Sequence, residues 1–233
     1  MKNGKVSVCE YQLYYEIYGN GENVLLLIPG ALGTINTDYR PLIEELKNEK
    51  SLTIVAVDPP GYGQSSPPFK DFRLGFQIYS IAAFSDGGRI ALIMAANYPL
   101  NVCKVVAWST SSYFTSHERE YIGSILSNIC NWHEVRIKAL KEVYGDYLQE
   151  YWRLFINAIL EYEDIFTNDL KLIQCPVLMM HGDKDPVIDK NHADFIAQRV
   201  KGAKVHHFTD GGHLIHTRFT QQFRKLIVEF VSN

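Results

Sequence analysis

The sequence contains few cysteines, and none of them belongs to the closely spaced pairs that zinc ribbons and redox motifs use. Only four occur in 233 residues: Cys9, Cys103, Cys130 and Cys175. Two of them adjoin apolar, strand-like runs, so we expect small buried side chains with reduced thiols. The cysteine pattern therefore supports neither a structural zinc site nor a dithiol redox function.

The sequence also lacks a long apolar run, an excess of basic residues and an apolar segment directly behind residues 1–5. No run approaches the roughly 18 to 20 apolar residues that a membrane span needs. The net charge of −3 offers no basic face for nucleic acid. We therefore expect no membrane or nucleic-acid partner, no secretory signal, and a cytoplasmic location in preference to a mitochondrial one.

Short apolar runs alternate with helical patterns along the chain. The runs cover residues 24–28, 52–57, 78–84, 102–108 and 176–180, and the main helical patterns cover 39–50, 88–98 and 190–200. This alternation predicts a single domain, residues 1–233, with a doubly wound, mostly parallel α/β sheet whose strands are buried on both faces. The proline-free segment of about 112–172 is too long for one crossover helix and predicts a helical lid, with helices packed on one sheet face as the alternative.

Ser85 lies where an apolar strand pattern runs directly into a helical pattern. This is the context of a nucleophile elbow, a turn so tight that the residues two before and two after the serine must be small. Ala83 and Gly87 meet that requirement. Backbone N–H groups at the start of the following helix can stabilise a developing oxyanion. The alternative is a Ser-Asp-Gly-Gly turn that only caps the helix.

Glycine-rich or acidic turns follow three further strand-like runs. Ala31 can present a backbone N–H which, with the amide of Asp86, would form an oxyanion hole. Asp183 and Asp185 follow a late strand, and either carboxylate could orient a histidine. His213 follows the last strand-like run on a glycine turn. Open α/β sheets build their sites at these strand ends, and the order Ser, Asp, His is that of α/β-hydrolases.

These motifs resemble the α/β-hydrolase superfamily along almost the whole chain, and most closely its valacyclovir hydrolase family, also called biphenyl hydrolase-like. The similarity is carried by Ser85-Asp86-Gly87-Gly88, by residues 58–63, 181–186 and 192–196, and by Gly211-Gly212-His213. The resemblance implies a catalytic triad of Ser85, His213 and Asp185, and an α-ammonium site at Asp86. It further implies hydrolysis of carboxylic esters, especially α-amino acid esters. We expect a reaction that needs neither cofactor nor metal, and a monomer whose partner is a small-molecule ester. Alternatively, Asp86 only caps its helix.

The segment between the second and third predicted strands departs from the family pattern. Residues 69–77 are too short for the amphipathic crossover helix that the family carries there. An internal deletion is indicated, which would leave apolar sheet surface exposed. An inactive or ligand-binding protein on the same fold is therefore the alternative function. A metal-dependent hydrolase is disfavoured, because His206 and His207 lie in a strand pattern and would face opposite sides. Its candidate ligands would be His181, Asp183, Asp185, His206, His207, His213 and His216.

Overall fold

The computed structural model describes residues 1–8, 11–65 and 78–232, and within these ranges the chain forms an eight-stranded sheet. The strands are β1 (Lys2–Val8), β2 (Tyr11–Gly19), β3 (Asn23–Ile28), β4 (Leu52–Val57), β5 (Tyr79–Phe84), β6 (Val102–Trp108), β7 (Val177–Gly182) and β8 (Lys204–Phe208). They lie in the order β1-β2-β4-β3-β5-β6-β7-β8, with antiparallel pairing of β1 with β2 and of β2 with β4 and parallel pairing elsewhere. The prediction of a mostly parallel α/β sheet is confirmed.

Helices cover both faces of the sheet. Those that the structure describes are α1 (Arg40–Leu46), α2 (Asp86–Asn97), α3 (Ser116–Tyr121), α4 (Glu134–Tyr144), α5 (Leu148–Leu160), α6 (Asn191–Arg199), α7 (Ile215–Arg218) and α8 (Thr220–Ser232). Apolar residues of α1 and α8 pack in a cluster on one face, and those of α2 and α6 pack in a second cluster on the other. None of these helices has the length and apolar character that a membrane crossing requires.

Residues 112–172, predicted as a lid, contain helices α3, α4 and α5 between β6 and β7, and we call them the helical segment. Helix α3 begins with a capping box formed by Thr115 and Glu118. Helix α5 buries Leu148, Trp152 and Ile156, which share one face because they are four residues apart. These side chains pack in a third apolar cluster that includes Leu32 after β3 and Ile188 after β7. The helical segment therefore contacts the loops at the carboxyl ends of the parallel strands.

Two expectations from the sequence have other outcomes. The deletion around residues 69–77, with the uncovered sheet surface inferred from it, lies outside the described residues. The expectation of buried cysteines holds for Cys175 but is wrong for Cys103 and Cys130, which are exposed. Cys103 is the second residue of β6, between the buried Val102 and the half-buried Lys104, and Cys130 lies in a short turn of the helical segment. The apolar run beside Cys103 therefore did not predict burial of its side chain.

Candidate active site

Ser85 occupies the turn between β5 and α2 with a φ of +53°, in a backbone region that residues other than glycine rarely adopt. Its amide donates a hydrogen bond to the carbonyl oxygen of Trp108, at 2.9 Å. Gly87 has no room for a side chain, because a Cβ there would lie 2.3 Å from the carbonyl oxygen of Pro29. Ala83 is fully buried. The structure thus explains the small residue at Gly87 by a close backbone contact, and it shows the small residue at Ala83 to be buried.

The imidazole of His213 lies between Ser85 and Asp185. Its Nε2 is 3.2 Å from the Oγ of Ser85, and its Nδ1 is 2.8 Å from the Oδ2 of Asp185. Ser85 follows β5, Asp185 follows β7 and His213 follows β8, so the carboxyl ends of the parallel strands bring the three residues together. This is the arrangement in which a histidine can take a proton from a serine hydroxyl while a carboxylate holds its orientation.

The two aspartates after β7 have different environments. Asp185 is buried, and its Oδ1 accepts hydrogen bonds from the amides of Val187 and Ile188, at 2.8 and 3.2 Å. Burial raises the pKa of Asp185, but attraction to His213 and the hydrogen bonds outweigh it, so this pKa lies below its usual value. Asp183 is partly exposed and contacts the Nδ1 of His207, at 2.7 Å. Asp185 is therefore the carboxylate in contact with His213.

The loop after β3, residues 29–33, lies against the serine and is called the oxyanion loop below. Gly30 allows this approach, because a Cβ there would lie 2.9 Å from the ring of Phe84 and 3.3 Å from the Cβ of Ser85. Ala31 and Asp86 line the same cavity as Ser85. Within the part of the chain that the structure describes, neither of their amides donates to a protein acceptor. Both amides are therefore free to donate to a bound oxygen atom.

The cavity around Ser85 and His213 has a volume of about 360 Å³. Most of its wall is apolar and comes from the helical segment, with Phe114, Ile122, Leu126, Trp152, Phe155 and Ile156 among the lining residues. The charged side chains that line it are Asp86, Arg89 and Arg136. A cavity with this mixture suits a small substrate with an apolar body and one or two polar groups.

Arg89, which the sequence analysis did not single out, lies beside Asp86. Its Nη1 donates to the Oδ1 of Asp86 at 3.2 Å, and its Nε and Nη2 donate to the carbonyl oxygen and hydroxyl of Ser111. The guanidinium also stacks over Phe114, 4.6 Å from the ring centre. Burial lowers the pKa of Arg89, and the charge of Asp86 partly offsets this shift. Asp86 and Arg89 are three residues apart on one helix, and this spacing could have predicted the ion pair from the sequence.

Two further buried residues form hydrogen bonds close to His213 in the structure. Ser109 directly follows β6, is buried with a φ of +50°, and donates a hydrogen bond to the carbonyl oxygen of His213, at 2.9 Å. His216 in α7 is fully buried, and its Nδ1 accepts a hydrogen bond from the Nε1 of Trp108. Burial lowers the pKa of His216 to about 4, so the ring is neutral at pH 7. Its Nε2 therefore carries the hydrogen that is donated to the carbonyl oxygen of Asp38, at 3.0 Å.

The alpha/beta hydrolase family model matches residues 25–225. The chain belongs to the α/β-hydrolase family. It is 37% identical to serine hydrolase BPHL of Mus musculus and 36% identical to that of Homo sapiens, in each case over 98% of this chain and 86% of the relative. These relatives confirm the resemblance to the biphenyl hydrolase-like branch, and the chain is an enzyme of the serine hydrolase class.

Comparison with a solved structure agrees with the fold. The enol-lactonase from Burkholderia xenovorans LB400 superimposes with a TM-score of 0.79 at 16% identity, covering 99% of this chain and 100% of the lactonase. The alignment to the mouse relative extends over 253 positions, whereas this chain has 233 residues. The mouse protein therefore carries residues that have no counterpart here.

Proposed function

We propose that the chain is a serine esterase that hydrolyses carboxylic esters of small molecules, with α-amino acid esters as preferred substrates. The observation that carries the proposal is the continuous contact from Ser85 through His213 to Asp185, with distances of 3.2 and 2.8 Å. A hydroxyl, an imidazole and a buried carboxylate in this order are the parts of an activated nucleophile. No metal or organic cofactor is required for this chemistry.

The reaction begins when the Oγ of Ser85 attacks the ester carbonyl carbon and its proton passes to the Nε2 of His213. The amides of Ala31 and Asp86 donate hydrogen bonds to the resulting oxyanion. Collapse of this intermediate breaks the bond to the alcohol, which leaves with the proton from His213. A water molecule then gives a proton to His213 and attacks the acyl carbon. The bond from that carbon to the Oγ of Ser85 breaks, the Oγ takes the proton back from His213, and the carboxylic acid is released.

The preference for amino acid esters rests on Asp86. Its side chain lines the cavity directly after the nucleophile, and one of its oxygens, Oδ1, contacts Arg89. The other oxygen has no hydrogen-bond donor among the described residues, and it can therefore accept from a substrate ammonium. Such a charge-assisted hydrogen bond contributes about 1.5 to 3 kcal/mol, which corresponds to about 10- to 150-fold in rate. Because Arg89 already neutralises part of the charge, we expect the lower end.

Replacing Asp86 with alanine should remove the preference for the amino group. We expect wild-type enzyme to hydrolyse a valine ester about tenfold faster, in kcat/KM, than the 3-methylbutanoate ester of the same alcohol, which lacks only the α-amino group. In Asp86→Ala this ratio should fall to about one, and any loss caused by leaving the buried Arg89 without its carboxylate should lower the rates on both esters equally. Steady-state kinetics with both esters and both proteins measures the ratio.

A helix-capping role for Asp86 makes a different prediction. The first turn of α4 also carries a carboxylate, Glu134, so Glu134→Ala serves as a control for the loss of such a group. If Asp86 acts only as a cap, both ester rates and the melting temperature fall together and the ratio is unchanged. That result would contradict a preference for amino acid esters, and the proposed substrates would then be carboxylic esters in general.

A further inference from the structure

Helix α4 contacts the oxyanion loop directly at its carboxyl-terminal end and is connected to it through Asp38 at its amino-terminal end. Near its amino terminus Arg136 reaches Asp38, and at its carboxyl terminus Tyr144 reaches Leu32. Between them Leu140 is fully buried in the same apolar cluster as Leu32. The loop that presents the Ala31 amide is therefore in polar and apolar contact with a helix about 100 residues further along the chain.

The first connection is an ion pair with a buried carboxylate. The side chain of Asp38 is fully buried, and its Oδ2 accepts a hydrogen bond from the amide of Gly30, at 2.9 Å. Its Oδ1 accepts from the hydroxyl of Thr37, at 3.1 Å, and from the Nη1 of Arg136. A buried carboxylate without a cationic partner is unfavourable. Arg136 thus stabilises the group that holds the start of the oxyanion loop.

The second connection is to a residue with an unusual backbone conformation. Leu32 has a φ of +57°, in the left-handed region that non-glycine residues adopt only when their surroundings hold them there. The hydroxyl of Tyr144 donates to the carbonyl oxygen of Leu32, at 3.0 Å. Leu32 itself is buried against the helical segment. The residue next to Ala31 is therefore in direct contact with α4.

We propose that Arg136 and Tyr144 are positioning residues for the oxyanion hole, and that they act through Asp38 and Leu32 to hold the amide of Ala31 toward the reacting carbonyl. This proposal rests on the proposed esterase mechanism. An oxyanion donor works only when it is aimed at the place where the negative charge develops. Helix α4 would thereby make catalysis depend on the docked position of the helical segment.

The two connections should affect the transition state and leave the binding of a small ester unchanged. The negative charge on the carbonyl oxygen exists only in the transition state and the tetrahedral intermediate, so a misplaced donor lowers kcat and leaves KM nearly constant. Loss of one oxyanion donor costs about 10²- to 10³-fold in kcat. A displaced donor should cost less, and we expect about tenfold for each variant.

The test uses Tyr144→Phe, which removes one hydroxyl, and Arg136→Met, which removes the charge and keeps a long side chain. Exposed residues of the same segment provide matched controls, Tyr147→Phe and Arg153→Met. With 4-nitrophenyl acetate, which is too small to contact most of the cavity, both test variants should lose about tenfold in kcat with KM within twofold of wild type. Both controls should match wild type.

The Kd of a trifluoromethyl ketone is a second measurement, and it distinguishes a misplaced oxyanion donor from a general loosening of the packing. It forms a bond to the Oγ of Ser85, the serine proton passes to His213, and the carbonyl oxygen becomes an oxyanion. Its Kd should rise by the same factor as kcat falls in Tyr144→Phe and Arg136→Met. Arg136→Lys, which keeps a cation beside Asp38, should recover part of both losses.

Two results would overturn the proposal while the esterase mechanism stands. One is wild-type kcat in both test variants. The other is a loss of activity that follows the melting temperature, with unchanged affinity for the ketone and no recovery in Arg136→Lys. Ser85→Ala assayed in parallel separates these from a failure of the mechanism itself, because an active Ser85→Ala enzyme would contradict the nucleophile assignment whatever the α4 variants do.

Discussion

Replacing Ser85 with alanine is expected to reduce ester hydrolysis by about six orders of magnitude in kcat, because the attacking oxygen is lost while the rest of the site remains. The oxyanion amides and the cavity can still provide about 10³- to 10⁴-fold over water, so any remaining rate should stay near the limit of detection. Hydrolysis of a 4-nitrophenyl ester by purified wild-type and variant protein measures the effect.

The Ser85→Ala protein should remain folded and bind substrate. Alanine is no larger than serine, and the close contacts around Gly30 and Gly87 do not involve the missing hydroxyl. The melting temperature should therefore change little, and the variant should still bind the reaction product weakly. A variant that keeps more than about one hundredth of the wild-type kcat would show that Ser85 is not the nucleophile.

Replacing Asp185 with asparagine is expected to lower kcat by about 10⁴-fold. Asparagine keeps the size of the side chain, but its amide favours the wrong tautomer of His213, with the hydrogen on the nitrogen that faces Ser85. The serine proton then has no acceptor. The reduced rate should be measured with the same ester as for Ser85→Ala, together with the melting temperature.

Asp183→Asn provides the matched control for Asp185→Asn. Asp183 is two residues away on the same loop and contacts His207 at the surface, so its replacement should change kcat by less than about fivefold. Asp185 also carries a stability contribution, because its pKa lies below the usual value. That contribution is present above the pKa of the unfolded chain and is lost as the pH falls through the lower, folded-state pKa. Assays near pH 7.5 therefore keep the comparison in the charged state. A larger loss in Asp183→Asn than in Asp185→Asn would reverse the assignment.

The parts of the fold and site that the sequence predicted are those with a local signal. Strands such as β3 and β7 are continuous apolar runs, and Ser85 lies in a turn whose small neighbours are adjacent in sequence. His213 could be predicted because a glycine turn after a strand places a side chain at the same edge of the sheet. The strand ends indicated Ser85, His213 and one of two aspartates, and the family resemblance selected Asp185 from these two.

The parts that the sequence did not predict depend on contacts between distant residues. Asp38 and Arg136 are 98 residues apart, and nothing in either local sequence indicates that they pair. Ser109 has a positive φ although it is not glycine, and it donates a hydrogen bond to the carbonyl oxygen of His213. Nothing in the sequence predicts this contact except the position of Ser109 directly after β6. The pair of Asp86 and Arg89 did have a helical spacing, but its burial depends on Phe114 and Ser111 from another part of the chain.

The central claim is that Ser85 is a nucleophile activated by His213, and a fluorophosphonate tests it most directly. The serine oxygen forms a bond to phosphorus, the bond to fluorine breaks, and the serine proton passes to His213. We expect one label per folded chain, located by mass spectrometry on the peptide that contains Ser85, with labelling slowed by orders of magnitude in Asp185→Asn. A folded protein that takes up no label, or takes it up at another residue, would contradict the account and favour a ligand-binding protein on the same fold.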